Sequence, residues 1–167
     1  MSLRVVALDD RHDLASFTSG NLQLDEWLRH HARPATGQGT RTYLLLDDDD
    51  TVAGYFAVAP HFLERDVAPK KVGRGAPRQI PAILLAKLAL SEHLHGQGLG
   101  GELLVRALDT TLDAARLAGG KVVVVDAIDA EAAAFYRHHD FEPLPGRPNR
   151  LVMKLSTAAR ALDADWP

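Results

Sequence analysis

The most informative part of the sequence is His95-Gly96-Gln97-Gly98-Leu99-Gly100. It follows residues 82–90, whose nearly continuous apolar run predicts a central strand covered on both faces. It precedes residues 101–117, where apolar side chains recur at helical spacing. Closely spaced glycines that leave a strand and open a helix can direct several backbone N–H groups at one point, where the helix dipole also favours an anion. The stretch therefore predicts a phosphate-binding turn, although the same spacing also occurs in plain strand-to-helix connections.

Strands and helices are predicted on both sides of this turn. Upstream, Pro34 should end an amphipathic helix, because proline disfavours a helical residue in front of it. Downstream, Gly119-Gly120 stops the long helix, and Asp129 is a suitable N-cap for a second, alanine-rich helix. The predicted strands span 4–8, 41–46, 51–59, 82–90, 121–125 and 151–155; the predicted helices span 22–32, 101–117 and 131–138, with a flexible loop at 34–40.

The pattern of elements predicts one mixed α/β domain. The sheet should be twisted and mostly antiparallel, with helices on both faces, and it should splay in a V between the strand ending near Leu90 and the strand at 122–125. A chain of 167 residues with 46% hydrophobic residues is long enough for one such core and too short for two. We expect the domain to cover 1–156 and residues 157–167 to form a short tail.

Composition excludes several classes of protein. The chain has no cysteine, which removes disulfides, thiol nucleophiles and cysteine-ligated zinc. The histidines show no metal-ligand spacing, so we expect no metal. The N-terminus lacks the apolar core of a signal peptide, and no apolar run approaches the roughly 18 residues of a membrane span. We therefore expect a cytoplasmic protein that does not enter membranes.

Charge is unevenly distributed along the chain. The formal net charge of -3 argues against a protein coated in positive charge for nucleic-acid binding. Residues 64–79 are nevertheless locally basic, and Arg29, Arg33 and Arg41 are candidates to extend that surface. The basic residues of the segment are Arg65, Lys70, Lys71, Arg74 and Arg78.

Two familiar phosphate-binding motifs do not fit the turn. It lacks the Gly-Lys-Ser/Thr ending of a mononucleotide P-loop, and its position and downstream acidic residue are wrong for a dinucleotide-binding fingerprint. It resembles instead the Gln/Arg-x-x-Gly-x-Gly/Ala motif of the GNAT superfamily of N-acetyltransferases, with His95 in the first position and Gly98 and Gly100 in the two small-residue positions. Residues 129–141 also resemble that family's Asn-x-x-Ala-x-x-Phe-Tyr-x-x-x-Gly-Phe signature, with Asp129 for Asn and Asp140 for Gly.

The resemblance implies the cofactor and the residues that bind it. Acetyl-CoA is expected as cosubstrate, with its pyrophosphate on the backbone of the turn and its pantetheine arm paired with the strand before it. Tyr136 is expected to act as general acid that returns a proton to the thiolate, and amide hydrogens near Leu90 to polarise the thioester oxygen. The expected cofactor-binding residues are Leu88, Ala89, Leu90, His95, Gly96, Gln97, Gly98, Leu99, Gly100, Asp129 and Phe135. Phe135 and Tyr136 could also be plain core aromatics, and Glu92, His93 and Asp126 stay open as bases.

Peripheral motifs extend the resemblance to the GNAT toxins of bacterial toxin–antitoxin pairs, which acetylate the amino group of aminoacyl-tRNA. These motifs are Phe17-Thr18-Ser19-Gly20, Thr40-Arg41-Thr42-Tyr43 and Arg78-Gln79-Ile80-Pro81. The resemblance implies a ribbon-helix-helix antitoxin as partner, and it allows a homodimer. Three hypotheses stay open: a tRNA-directed toxin, an acetyltransferase of a small amine, amino acid or protein amine, and a non-catalytic acyl-CoA-binding regulator.

Overall fold

The computed structural model describes residues 2–167. Its strands are β1 (Arg4–Ala7), β2 (Arg41–Leu46), β3 (Val52–Glu64), β4 (Gln79–Leu90), β5 (Val122–Asp126), β6 (Glu142–Leu144) and β7 (Arg147–Lys154). Its helices are α1 (Leu22–His30), α2 (Ala32–Thr36), α3 (Lys70–Gly73), α4 (Leu99–Ala118), α5 (Ala130–His138) and α6 (Leu155–Ala161). Two compact units share these elements: unit 1 comprises residues 1–59 and 86–107, and unit 2 comprises residues 60–85 and 108–167.

In unit 1, strands β1 and β2 and the first part of β3 form an antiparallel meander. Helix α1 begins where the Asn21 side chain accepts a hydrogen bond from the backbone N–H of Leu24 at 3.0 Å, so the N-cap is satisfied. Leu24 and Leu28 pack into a core with Phe17 and Tyr55. The buried Tyr55 hydroxyl donates to the carbonyl oxygen of Leu24 at 2.7 Å, which ties β3 to α1.

In unit 2, β4 pairs in parallel with β5 over Ala82–Leu85 and Val122–Val125. Strand β7 runs antiparallel to both β5 and β6. The strand, turn, helix and strand predicted around the glycine-rich turn are therefore present as β4, α4 and β5, and most pairings are antiparallel, as predicted. The core of this unit is apolar, and it includes Leu63, Val72, Ala76, Ile80, Val122, Val124, Leu144 and Val152.

Two segments for which the sequence predicted no helix contain short helices. Residues 34–40 are not wholly a loop, because α2 forms around Pro34, which lies in the first turn of the helix, where its missing N–H is not needed. The basic segment contains a 3₁₀ turn at Arg65–Val67 and the helix α3, whose Val72 is buried. The charged side chains of the basic segment are therefore carried by a backbone with regular structure, part of which is buried.

The C-terminal elements also differ from the prediction. Strand β6 was missed, and β7 begins at Arg147 rather than at residue 151. Helix α6 gives residues 155–161 regular structure, and the division of the chain at residue 156 stays a prediction. Within residues 2–167, no helix combines the length and the apolar character needed to cross a membrane.

Candidate active site

The glycine-rich turn lies in unit 1, between a 3₁₀ turn at Glu92–Leu94 and the start of α4 at Leu99. Gly96 and Gly98 have φ angles of 78° and 75°, in the left-handed region that favours glycine. A Cβ atom added to either glycine would meet no heavy atom within 4 Å. The space over both residues is open, so a ligand can approach the backbone closely.

The backbone N–H groups of Gly96, Gln97 and Gly98 are available to a ligand. All three residues are exposed, and within residues 2–167 none of these N–H groups forms a hydrogen bond. They directly precede the N-terminus of the 20-residue helix α4, where the helix dipole favours negative charge. The turn has the donors and the open space that a pyrophosphate needs, so its geometry fits the coenzyme A that the sequence implies.

Side chains of the turn hold it in place. His95 Nε2 hydrogen-bonds to the carbonyl oxygen of Leu90 at 3.0 Å, and Gln97 Nε2 donates to the carbonyl oxygen of His93 at 3.3 Å. His95, which departs from the family motif, thus ties the turn to the end of β4. The structure brings the predicted strand residues Leu88, Ala89 and Leu90 next to the predicted turn.

Gly100 differs from the other two glycines of the motif. It lies in the first turn of α4, and it is not among the residues with positive φ. The conformational need for glycine therefore falls on Gly96 and Gly98 and not on Gly100.

The second predicted group of site residues lies in unit 2, on α5. The Asp129 side chain accepts from the backbone N–H of Ala132 at 2.8 Å, which confirms Asp129 as the N-cap. Asp140 follows the helix with a φ of 71°, so this position requires the left-handed conformation that the glycine of the family signature supplies. Aspartate adopts it at a modest cost.

Tyr136 is buried, and its ring contacts the edges of Phe135 and Phe141, with both centroid separations 5.4 Å. Within residues 2–167, its hydroxyl has no hydrogen-bond partner. Among these residues, only Thr42 Oγ1 is both fully buried and without a hydrogen-bond partner. The Tyr136 hydroxyl also lacks a partner, so it is not fully buried and retains accessible surface. Burial raises the pKa of Tyr136 above its ordinary value, which keeps the phenol protonated at neutral pH. A protonated, unpartnered and accessible hydroxyl suits a proton donor.

Each residue left open as a base has a partner. Glu92 Oε1 accepts from Thr18 Oγ1 at 3.0 Å, and His93 Nδ1 lies 2.8 Å from Ser91 Oγ. Asp126 pairs with Arg150, whose Nη1 lies 3.3 Å from Asp126 Oδ2. None of these contacts identifies a base.

Sequence reasoning missed a cluster of charged and polar side chains in unit 2. Arg150 contacts His61 as well as Asp126, so the cluster joins β3, β5 and β7. Desolvation, together with the charge of Arg150, lowers the pKa of His61. Only the pairing of distant strands brings these residues together, and no local motif marks them. Among the described residues, no group of three or more His, Cys, Asp or Glu side chains could hold a metal ion.

Comparison with known proteins identifies the family. The model of the acetyltransferase (GNAT) domain matches residues 39–143, a span that includes every predicted site residue. The chain therefore belongs to the GNAT acetyltransferases, and acetyl-CoA is its cosubstrate.

Similar proteins support a narrower relationship. A tRNA-acetylating toxin of Mycobacterium tuberculosis is 37% identical over 158 residues, which cover 95% of each chain. The structure of AtaT complexed with acetyl-methionyl-tRNAfMet has a TM-score of 0.86 at 27% identity, covering 96% of this chain and 99% of that one. A mutant AtaT toxin bound to the C-terminus of the antitoxin AtaR and acetyl-CoA has a TM-score of 0.82 at 26% identity, covering 98% and 99%. The predicted fold class is confirmed.

Proposed function

We propose that this acetyltransferase moves the acetyl group of acetyl-CoA to the α-amino group of aminoacyl-tRNA and thereby acts as a toxin. The observation that carries the proposal is the 37% identity to a tRNA-acetylating toxin over 95% of both chains. Because the similarity covers both compact units, it extends beyond the cofactor-binding turn to the segments that would select the acceptor.

The basic segment of unit 2 supports an RNA substrate. Lys70 and Lys71 begin α3, and Arg74 and Arg78 follow it, all with exposed side chains. Arg65 has a structural role instead, because its Nη1 donates to the carbonyl oxygen of Ala76 at 3.2 Å and links the two ends of the segment. Arg29, Arg33 and Arg41 also bind backbone carbonyl oxygens, within unit 1. Lys70, Lys71, Arg74 and Arg78 are therefore the better candidates for phosphate contacts.

The reaction needs a hydrogen-bond donor for the thioester oxygen, a phosphate anchor and a proton donor. The amine nitrogen attacks the thioester carbonyl carbon, a C–N bond forms, and the C–S bond then breaks. In this proposal the turn around Gly96 and Gly98 anchors the pyrophosphate, and the backbone N–H groups near Leu90 stabilise the negative oxygen. Tyr136 gives its phenolic proton to the departing thiolate. The proton lost by the amine goes to solvent.

The same proposal specifies partners and location. A ribbon-helix-helix antitoxin would hold the enzyme inactive, and the protein would act in the cytoplasm, where charged tRNA is found. Expression of the protein alone should arrest growth, and coexpression of the cognate antitoxin should restore it.

A transfer assay tests the proposal. Labelled acetyl-CoA is offered with bulk charged tRNA, with deacylated tRNA, and with a panel of free amines, amino acids and peptides. Label should appear only on charged tRNA. Label on free amines or peptides, with charged tRNA blank, would replace the proposal with a small-molecule or protein acetyltransferase.

Salt gives a second measurement. Phosphate contacts release counterions, so the activity on charged tRNA should fall steeply with added salt. Replacing Lys70 and Lys71 together with glutamine should make that dependence shallower, by about 0.7–0.9 in the log–log slope for each phosphate that the protein no longer neutralises. An unchanged slope would show that these lysines do not contact the RNA.

A further inference from the structure

Lysine and arginine side chains differ between the two units in whether they have partners. In unit 1 each of them contacts a carboxylate, a backbone carbonyl oxygen or, for Lys87, the ring of Trp27. Within residues 2–167, those without an ion pair, a side-chain hydrogen bond or a ring contact all lie in unit 2. They are Lys70, Lys71, Arg74, Arg78, Lys121, Arg137, Arg147, Lys154 and Arg160.

Three of these unpaired cations line one cavity of about 390 Å³ in unit 2. Arg74 comes from the basic segment, Lys121 precedes β5, and Lys154 ends β7. No aspartate or glutamate lines the cavity, and Trp166 forms part of its wall. Its volume falls in the range of about 300–1,000 Å³ that is usual for ligand pockets.

The walls of the cavity are fixed by the backbone. The N–H of Lys121 donates to the carbonyl oxygen of Pro81 at 2.8 Å, and the carbonyl oxygen of Lys121 accepts from the N–H of Leu155 at 2.9 Å. Val122 pairs with Lys154 in the register of β5 and β7. Lys121, just before β5, and Lys154, at the end of the adjacent strand β7, therefore have fixed backbones, and their side chains need little backbone ordering to meet a ligand.

An arginine fixes the segment that carries Trp166. Arg116 Nε and Nη2 donate to the carbonyl oxygen of Asp165 at 3.0 and 2.8 Å, while Arg116 Nη1 pairs with Asp113 at 2.7 Å. Trp166 is partly exposed. The backbone next to Trp166 is thus anchored, and Trp166 lines the cavity together with three cations that have no ion pair.

The combination of charge and aromatic surface selects the chemistry of the occupant. Like charges that share a cavity repel one another, and a bound anion removes that repulsion. Phosphate suits lysine and arginine together, and an indole face suits a nucleobase, because every base has a π-face that can stack. A nucleotide uses both features, whereas an acidic peptide uses the charges alone.

We propose that the cavity lined by Arg74, Lys121, Lys154 and Trp166 binds a nucleotide of the tRNA substrate. The phosphate of this nucleotide would contact the three cations, and its base would stack on the indole. This inference rests on the proposed function, since it needs an RNA substrate. It adds an RNA contact whose residues lie far apart in the sequence, outside the motifs that mark the acetyl-CoA site.

The test compares pairs of variants in the full-length protein. Lys121→Gln combined with Lys154→Gln removes two cavity cations, and Arg147→Gln combined with Arg160→Gln removes two unpaired cations of unit 2 that do not line the cavity. Trp166→Ala removes the stacking surface, and Trp166→Phe retains an aromatic ring. Affinity for deacylated tRNA is measured over a range of salt concentrations, and kcat and KM are measured with charged tRNA.

The cavity variants should weaken RNA binding specifically. The lysine pair should lower the log–log salt slope by about 1.5 more than the matched arginine pair does. Trp166→Ala should weaken tRNA binding about tenfold, and Trp166→Phe should restore most of the loss. For all cavity variants KM for charged tRNA should rise, while kcat and the affinity for acetyl-CoA should stay within about twofold of wild type.

Other outcomes separate the two proposals. If the wild type acetylates charged tRNA but the cavity variants match the arginine control, the cavity is not an RNA site and the proposed function stands. If the cavity variants lose affinity for an acidic peptide and not for tRNA, the occupant is a protein segment. If the wild type neither binds nor acetylates tRNA, the proposed function itself fails.

Discussion

Replacing Tyr136 with phenylalanine separates chemistry from packing. The phenylalanine ring keeps both edge contacts, to Phe135 and Phe141. The lost hydroxyl has no hydrogen-bond partner within residues 2–167, so no donor or acceptor of the protein is left unsatisfied. The free energy of unfolding should therefore change by no more than about 0.5 kcal/mol. If the hydroxyl donates the proton to the thiolate, kcat should fall by roughly 10²–10⁴.

Tyr55→Phe is the matched control for this prediction. It removes the same atom from a fully buried tyrosine, but here the hydroxyl donates to the carbonyl oxygen of Leu24 at 2.7 Å. Loss of that bond should cost about 0.5–1.5 kcal/mol of stability. Its kcat at a temperature well below unfolding should stay near that of wild type. One variant should thus lose activity without stability, and the other should lose stability without activity.

The assay measures both quantities on the same samples. Urea unfolding gives the free energy of unfolding, and single-turnover acetyl transfer at saturating acetyl-CoA gives the chemical step. The raised pKa of Tyr136 adds a further expectation, since the phenol should stay protonated and active up to at least pH 10, its ordinary pKa. A Tyr136→Phe enzyme with a rate within threefold of wild type would refute the general-acid role.

Three further predictions follow from the backbone and from His61. Gly98→Ala and Gly119→Ala both place a Cβ at positive φ in open space, so each should lower the free energy of unfolding by about 1 kcal/mol. Calorimetric titration should show weaker acetyl-CoA binding only for Gly98→Ala. Equal affinities would contradict the turn's role. Asp140→Gly should raise the free energy of unfolding by about 0.5–1 kcal/mol in urea, because the residue has a φ of 71°; a loss of stability would show that the aspartate side chain matters more than its backbone conformation. His61 has a lowered pKa, so the folded state resists its protonation, and the stability it contributes above about pH 6.5 should decline as the pH falls below that value. Between pH 7 and pH 5, the free energy of unfolding in urea should decline less for His61→Asn than for wild type. An equal decline would show that His61 does not contribute to the pH dependence of stability.

Prolines explain most of the boundaries that the sequence misplaced. The predictions ended or began an element at Pro34, Pro60 and Pro81, whereas α2, β3 and β4 each run through the proline in question. The missed β6 contains Pro143, and the misplaced start of β7 precedes Pro148. A proline breaks an element only where its missing N–H is needed, and whether it is needed depends on strand pairing and position in the helix, which the local sequence does not specify.

The sequence predicted the glycine-rich turn better than it predicted the cavity that we propose for the RNA. The turn depends on a left-handed backbone conformation, which glycine adopts easily, so closely spaced glycines predict it from the local sequence. Gly96 and Gly98 have this conformation. The N-cap Asp129 is equally local. The cavity that holds Lys121 and Trp166 depends instead on residues that meet only through the register of β5 with β7 and the tie from Arg116 to Asp165. No local sequence pattern predicts such a long-range contact.

Net charge is a poor guide to whether this protein binds RNA. The value of -3 counts paired and unpaired side chains alike, although the cations of unit 1 already have partners. At physiological ionic strength charges are screened over about 8 Å, so an approaching phosphate responds to the nearest charges and not to the total. Arg74, Lys121 and Lys154 are cations without a side-chain partner, and no aspartate or glutamate lines their cavity. The acidic balance of the whole chain therefore does not argue against RNA binding, which we propose depends on the unpaired cations of unit 2.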